Sequence, residues 1–109
     1  MIDYTEFGFR KDYDPYNKFH LKTEVEYKGK SYIVSTVDLG INHSFIEGVE
    51  LYYETMIFKN SENIKERWGD GNPFEYFKER YSTENEARKR HEEIVEIFKS
   101  NKVDKLLWN

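Results

Sequence analysis

The chain has 109 residues, with 17 Lys and Arg, 21 Asp and Glu, 3 His and no Cys, for a formal net charge of −4. That length holds one domain spanning residues 1–109 and little more. The missing cysteine excludes disulfides, thiolate catalysis and Cys-based metal or iron–sulfur sites, and the mild acidity argues against general nucleic-acid binding, which wants clustered Lys and Arg.

Residues 4–10 (YTEFGFR) read as a short edge strand with Phe7 and Phe9 on one face, and Asp14-Pro15-Tyr16-Asn17 as a turn. Residues 21–27 are the clearest strand. Leu21, Thr23, Val25 and Tyr27 alternate with Lys22, Glu24 and Glu26, the period-2 pattern of a half-buried strand. Lys28-Gly29-Lys30 turns the chain, and Gly29 can take the positive φ of a short hairpin loop. Residues 31–39 (SYIVSTVDL) are β-branched and apolar on both faces, which predicts a central second strand. A glycine-bounded loop at 40–48 precedes a long aromatic third strand at 49–58 (VELYYETMIF). Residues 60–71 are a polar excursion that ends in the breaker run Trp68-Gly69-Asp70-Gly71-Asn72-Pro73.

Residues 74–81 (FEYFKERY) fit two patterns. Asn72, Pro73 and Glu75 suit a helix start with a Phe74, Phe77, Tyr81 stripe, yet the same residues alternate as a strand. The next helix is plain. Thr83 and Glu86 form a capping box, Ala87, His91, Ile94, Val95 and Phe98 recur at helical spacing, and acidic residues crowd the first turn. The tail VDKLLWN carries Val103, Leu106, Leu107 and Trp108, which predicts docking on the domain or on a second copy.

The tract RYSTENEARKRHEEIVEIF, residues 80–98, together with YIVSTVDLGINHSF and YYETMIF upstream, is similar to small proteins encoded by phages and prophages of Gram-positive bacteria. The resemblance covers about residues 32–98. It implies a strand running into Arg80-Tyr81 and then the helix. It carries no catalytic or ligand residue with it. Lys89-Arg90 before His91 is more basic than that pattern and changes the charge of one helix face.

The chemistry-bearing motifs are few. No HxxxH, HxH or HExxH spacing, GxSxG elbow or GxxxxGK loop is present, so no metal, cofactor or catalytic residue is expected and the chain reads as a non-enzyme. His91 falls on the helix's apolar stripe, where it serves either as a bonded core histidine or as a ligand or proton carrier. Asp38, Asn42 and His43 form the best polar constellation, at the end of a predicted central strand; Asp and Asn also bond their own backbone in turns. Aromatics make up 17% of the chain, more than one small core covers. Tyr52 and Tyr53, on opposite faces of the third strand, and Trp108 in the tail are therefore candidate interface residues.

These readings predict an α+β fold: an antiparallel sheet of four or five strands with one long C-terminal helix packed on one face. The expected function is that of a phage or prophage accessory protein that binds a host protein stoichiometrically, in an anti-defence or host-takeover role that rests on the resemblance. Two alternatives stand beside it: a small-ligand, nucleotide-like binder with a pocket between sheet and helix, and a homodimeric or larger structural protein. No run approaches the roughly 20 apolar residues of a bilayer span, and the N-terminus lacks a signal-peptide pattern, so no membrane partner and a cytoplasmic location are expected.

Overall fold

The computed structural model describes residues 3–63, 67 and 71–107. Trp108, and Trp68, Gly69 and Asp70 of the breaker run, lie outside them. Four strands, β1 (His20–Tyr27), β2 (Lys30–Asp38), β3 (Tyr53–Lys59) and β4 (Lys78–Tyr81), form one antiparallel sheet in the order β1-β2-β3-β4. A long helix, α1 (Glu84–Lys99), lies across one face, and a single turn, α2 (Asp104–Leu107), follows. Among the described residues no helix is long and apolar enough to cross a membrane.

The β1–β2 hairpin closes on the pair Tyr27 and Lys30. Lys28 (φ 51°) and Gly29 (φ 75°) are both left-handed, the combination that matches a two-residue turn to strand twist. β2 has a partner on each side, in line with its two partly apolar faces. Register puts Val25 opposite Tyr32, Thr36 opposite Thr55 and Val34 opposite Ile57, so these side chains share a face. The helix lays Ala87, His91, Ile94 and Phe98 on that face at spacings of four, three and four, one stripe of an α-helix. Each large apolar side chain buried there contributes about 1.5–3 kcal/mol. Phe74 fills the far end, with its ring centroid 5.1 Å from Tyr32, 5.4 Å from Phe98 and 5.5 Å from Tyr27.

The helix ends follow their sequence signals. Thr83 Oγ1 accepts from the Glu86 N–H, and its hydroxyl donates to the Glu86 carboxylate. At the other end Asn101 adopts φ 58°, and the Lys102 N–H donates to the Ile97 carbonyl, a Schellman closure with Asn in the left-handed seat. The chain then returns to bury Val103 and Leu106 against the core, so this part of the tail docks on its own domain.

Three expectations need correction. Residues 4–10 are not an edge strand. Asp3 caps a 3-10 helix, Tyr4–Phe7, by accepting from the Thr5 N–H, and Gly8 ends it, leaving a lone bridge between Phe9 and Ile41. Stacking of Phe9 on Tyr13, at 4.7 Å, and the edge contacts of Tyr4 with both hold the segment in place of a strand ladder. The third strand starts at Tyr53 rather than Val49, because the Asn42 side chain takes the Val49 carbonyl and the Leu51 N–H. Residues 74–81 are neither all strand nor helix. Asn72 Oδ1 accepts from the Phe74 N–H while its Nδ2 donates to the Ile57 carbonyl; two turns follow, and β4 begins only at Lys78.

Candidate interaction site

Asp38 ends β2 on the helix face and is buried. Its carboxylate takes both Arg10 terminal nitrogens, at 3.0 and 2.6 Å, and the Gly40 N–H at 2.8 Å. Arg10 also reaches Asp12, and its guanidinium lies 5.2 Å from the ring centroids of both Tyr52 and Tyr53. The Asp38 hydrogen bonds hold Arg10 charged well above its ordinary range. Burial pushes the Tyr53 hydroxyl up as well. Gly40, at φ 73°, is required here, because a Cβ would come within 2.6 Å of the Tyr13 ring. Asp38, Tyr52 and Tyr53 thus fasten the N-terminal strap to the sheet. Tyr53 is buried and Tyr52 half-buried, so the large exposed aromatics are others: Phe7, Tyr16, Phe45 and Tyr76.

His91 is 4% exposed. Its Nε2 lies 2.8 Å from Thr23 Oγ1, its Nδ1 lies 2.7 Å from Thr36 Oγ1, and Thr36 Oγ1 lies 2.6 Å from Thr55 Oγ1. Further along the same face the Tyr81 hydroxyl donates to Glu79, which receives Arg90 in a bidentate pair at 2.7 and 2.9 Å. This polar layer joins all four strands to α1, and among the described residues no buried side-chain nitrogen or oxygen lacks a partner. Burial holds His91 below the ordinary histidine value, and burial likewise raises the Tyr81 hydroxyl. The Arg90 hydrogen bonds hold Glu79 below the usual carboxylate range. With both ring nitrogens engaged, His91 braces the helix and offers nothing to a ligand while the helix is seated. The space around it, where a pocket was expected, is filled by Thr36, Thr55, Ala87 and Ile94, each 0% exposed. A shallow groove of about 210 Å³ exists elsewhere, beside β4, lined by Phe74, Tyr76, Phe77, Leu106 and Leu107 among others.

Asn42 and His43 belong to a different structure, the loop between β2 and β3. Asn42 Oδ1 accepts from the N–H groups of Ser44 (2.9 Å) and Leu51 (2.8 Å). The His43 N–H donates to the Leu51 carbonyl, and its own carbonyl receives Arg80, which is paired with Glu54 at 2.9 Å. Ser44 Oγ accepts from the Ile46 N–H, and the Val49 N–H closes a turn onto the Ile46 carbonyl. Asp38, Asn42 and His43 therefore do not converge; the Asp38 and Asn42 side chains have their own structural partners, and His43 is held through its main chain. What the braced loop presents is Phe45, 100% exposed, and Ile46, 69% exposed, with Ile41 and Val49 also exposed beside them.

Phe45 and Ile46 are absent from the candidates that polar chemistry picks out of the sequence. Their signal was available: residues 31–58 contain no Lys or Arg, and an apolar pair sits between Ser44 and Glu47-Gly48. Among the described residues no cluster of three or more His, Asp and Glu is placed to hold a metal ion. Comparison with known proteins gave no match: no family profile, no curated protein and no solved structure aligns significantly with this chain.

Proposed function

We propose that the protein acts by stoichiometric binding, as a small phage or prophage accessory protein that engages a host protein through the loop joining β2 to β3. One observation carries this reading. A loop fixed by side-chain and backbone hydrogen bonds holds Phe45 and Ile46 in solvent at its tip. Leaving a large apolar side chain in water forgoes about 1.5–3 kcal/mol of burial, which docking recovers. Because the loop is already ordered, little conformational entropy opposes that docking. The anti-defence or host-takeover setting belongs to the phage resemblance.

The test is capture from a lysate of a Gram-positive host on the immobilised chain, followed by calorimetry with the purified partner. The expected result is saturable one-to-one binding that Phe45→Ser with Ile46→Ser abolishes. Tyr76→Ser is the control. It removes an equally exposed aromatic at the opposite end of the sheet, next to Phe74, and should leave capture intact. Absence of any captured protein, or turnover of a small substrate by the purified chain, would overturn the reading.

A further inference from the structure

We infer that the loop tip docks into an apolar pocket rimmed by lysine and arginine side chains on its protein partner. This rests on the stoichiometric reading and adds the partner's chemistry. The apolar anchors are Phe45 and Ile46, held out by the Asn42 and Ser44 hydrogen bonds. The charge that the loop itself carries has one sign. Between Lys30 and Lys59 the chain has no cation and four carboxylates, Asp38, Glu47, Glu50 and Glu54. Asp38 and Glu54 are neutralised by Arg10 and Arg80. Glu47 and Glu50, one on each side of Gly48-Val49, are exposed and have no ion pair among the described residues. Asp12, on the strap that covers Tyr52, is paired with Arg10 and does not join them.

Two exposed apolar side chains followed along the same loop by two exposed carboxylates outside any ion pair among the described residues match a surface of the opposite polarity. Apolar anchors supply affinity, and complementary charge supplies association rate and selectivity. The same pattern disfavours a lipid surface. Interfacial anchors use Lys and Arg toward anionic headgroups, and this loop has neither.

Zero-length carbodiimide cross-linking reads the pairing directly, because it joins a carboxylate only to an amine in contact with it. Immobilised wild type, Phe45→Ser, Glu47→Gln with Glu50→Gln, and Tyr76→Ser are each exposed to host lysate, cross-linked and digested, after thermal melts confirm that all four fold alike. The expected result is one protein on wild type and on Tyr76→Ser, joined through Glu47 or Glu50 to its lysines. Phe45→Ser should lose it by at least about tenfold, as a central anchor does. The Glu47→Gln, Glu50→Gln variant should capture it several-fold more weakly, with a reduced dependence on salt. A protein captured equally by Phe45→Ser, or cross-linked only through other carboxylates, would overturn the pocket and leave stoichiometric binding standing. No capture at all would remove both. Sedimentation of the wild-type chain with phosphatidylglycerol vesicles, lost in Phe45→Ser, would assign the loop to lipid and also overturn the inference.

Discussion

The helix-covered face of β2 and β3 and the loop that joins these two strands treat polarity in opposite ways. Under α1 a layer of polar side chains is buried: His91, Thr36 and Thr55 are sealed between helix and sheet, and each finds a partner at 2.6–2.8 Å. On the β2–β3 loop the Asn42 and Ser44 side chains brace the backbone, and the large apolar residues Phe45 and Ile46 face water. The first arrangement stabilises the fold, because a satisfied buried network locks one register of helix on sheet. The second does nothing for the fold that a polar loop would not do. The difference separates a region whose side chains hold the domain together from one whose side chains are free to meet something else.

That contrast breaks most visibly in the core. Ile94 is 0% exposed beneath α1, so Ile94→Ala should cost about 2–5 kcal/mol in urea unfolding, the range for emptying a buried aliphatic site. Thr36→Val keeps the volume but strips the hydroxyl shared by His91 and Thr55, and should cost about 1–3 kcal/mol. A loss no larger than that of an exposed threonine would mean the polar layer is ornamental.

The same layer should make stability pH-dependent. His91 sits below the ordinary histidine value of about 6.5, through burial first, with Glu92 opposing and His20 adding to the shift. The unfolded chain therefore takes up the proton more readily. Stability is fully present above about pH 6.5 and falls as the pH drops below it. His20 is shifted the same way, so the informative measurement is the difference between wild type and His91→Gln. His91→Gln should flatten the pH dependence of urea midpoints in that window, and an unchanged profile would remove His91 as its source. A separate loss belongs to Glu79. Its lowered value makes the Arg90 pair a source of stability that disappears only as the pH falls through the carboxylate range.

The smallest expected effect is the most discriminating. Phe45→Ser, at a fully exposed position, should leave the unfolding free energy within about 0.5 kcal/mol of wild type. A large destabilisation would show that Phe45 belongs to the core and would erase the contrast between the two regions.

Much of the fold was legible in local pattern. Alternation over 21–27, a glycine turn and a β-branched run specify the hairpin, because strand side chains have period two whatever lies beyond them. Thr83, Glu86 and the Ala87, His91, Ile94, Phe98 stripe specify α1 for the same local reason. The N-terminal segment was misread because Phe7 and Phe9 imitate alternation, while Asp3 and Gly8 close a 3-10 turn within the same few residues. The proposed loop was half legible. Asn42 and His43 lie on it and Tyr52 at its base, but the Asn42 side chain and the His43 main chain brace the backbone.

The sequence by itself determined the α+β class, the hairpin, the helix and the inward face of each, since these follow from spacing along the chain. Tertiary structure alone decided which groups are taken and which are left over. Arg10 neutralises Asp38 from 28 positions away, and Thr23 meets His91 across 68. Those partners could not be read from spacing, because a charge or an imidazole carries no mark of what will fold against it. Exposure has the same origin. Phe74 and Phe45 are the same residue type in similarly polar company, and only the packed sheet and helix bury the first at 1% while leaving the second wholly in water.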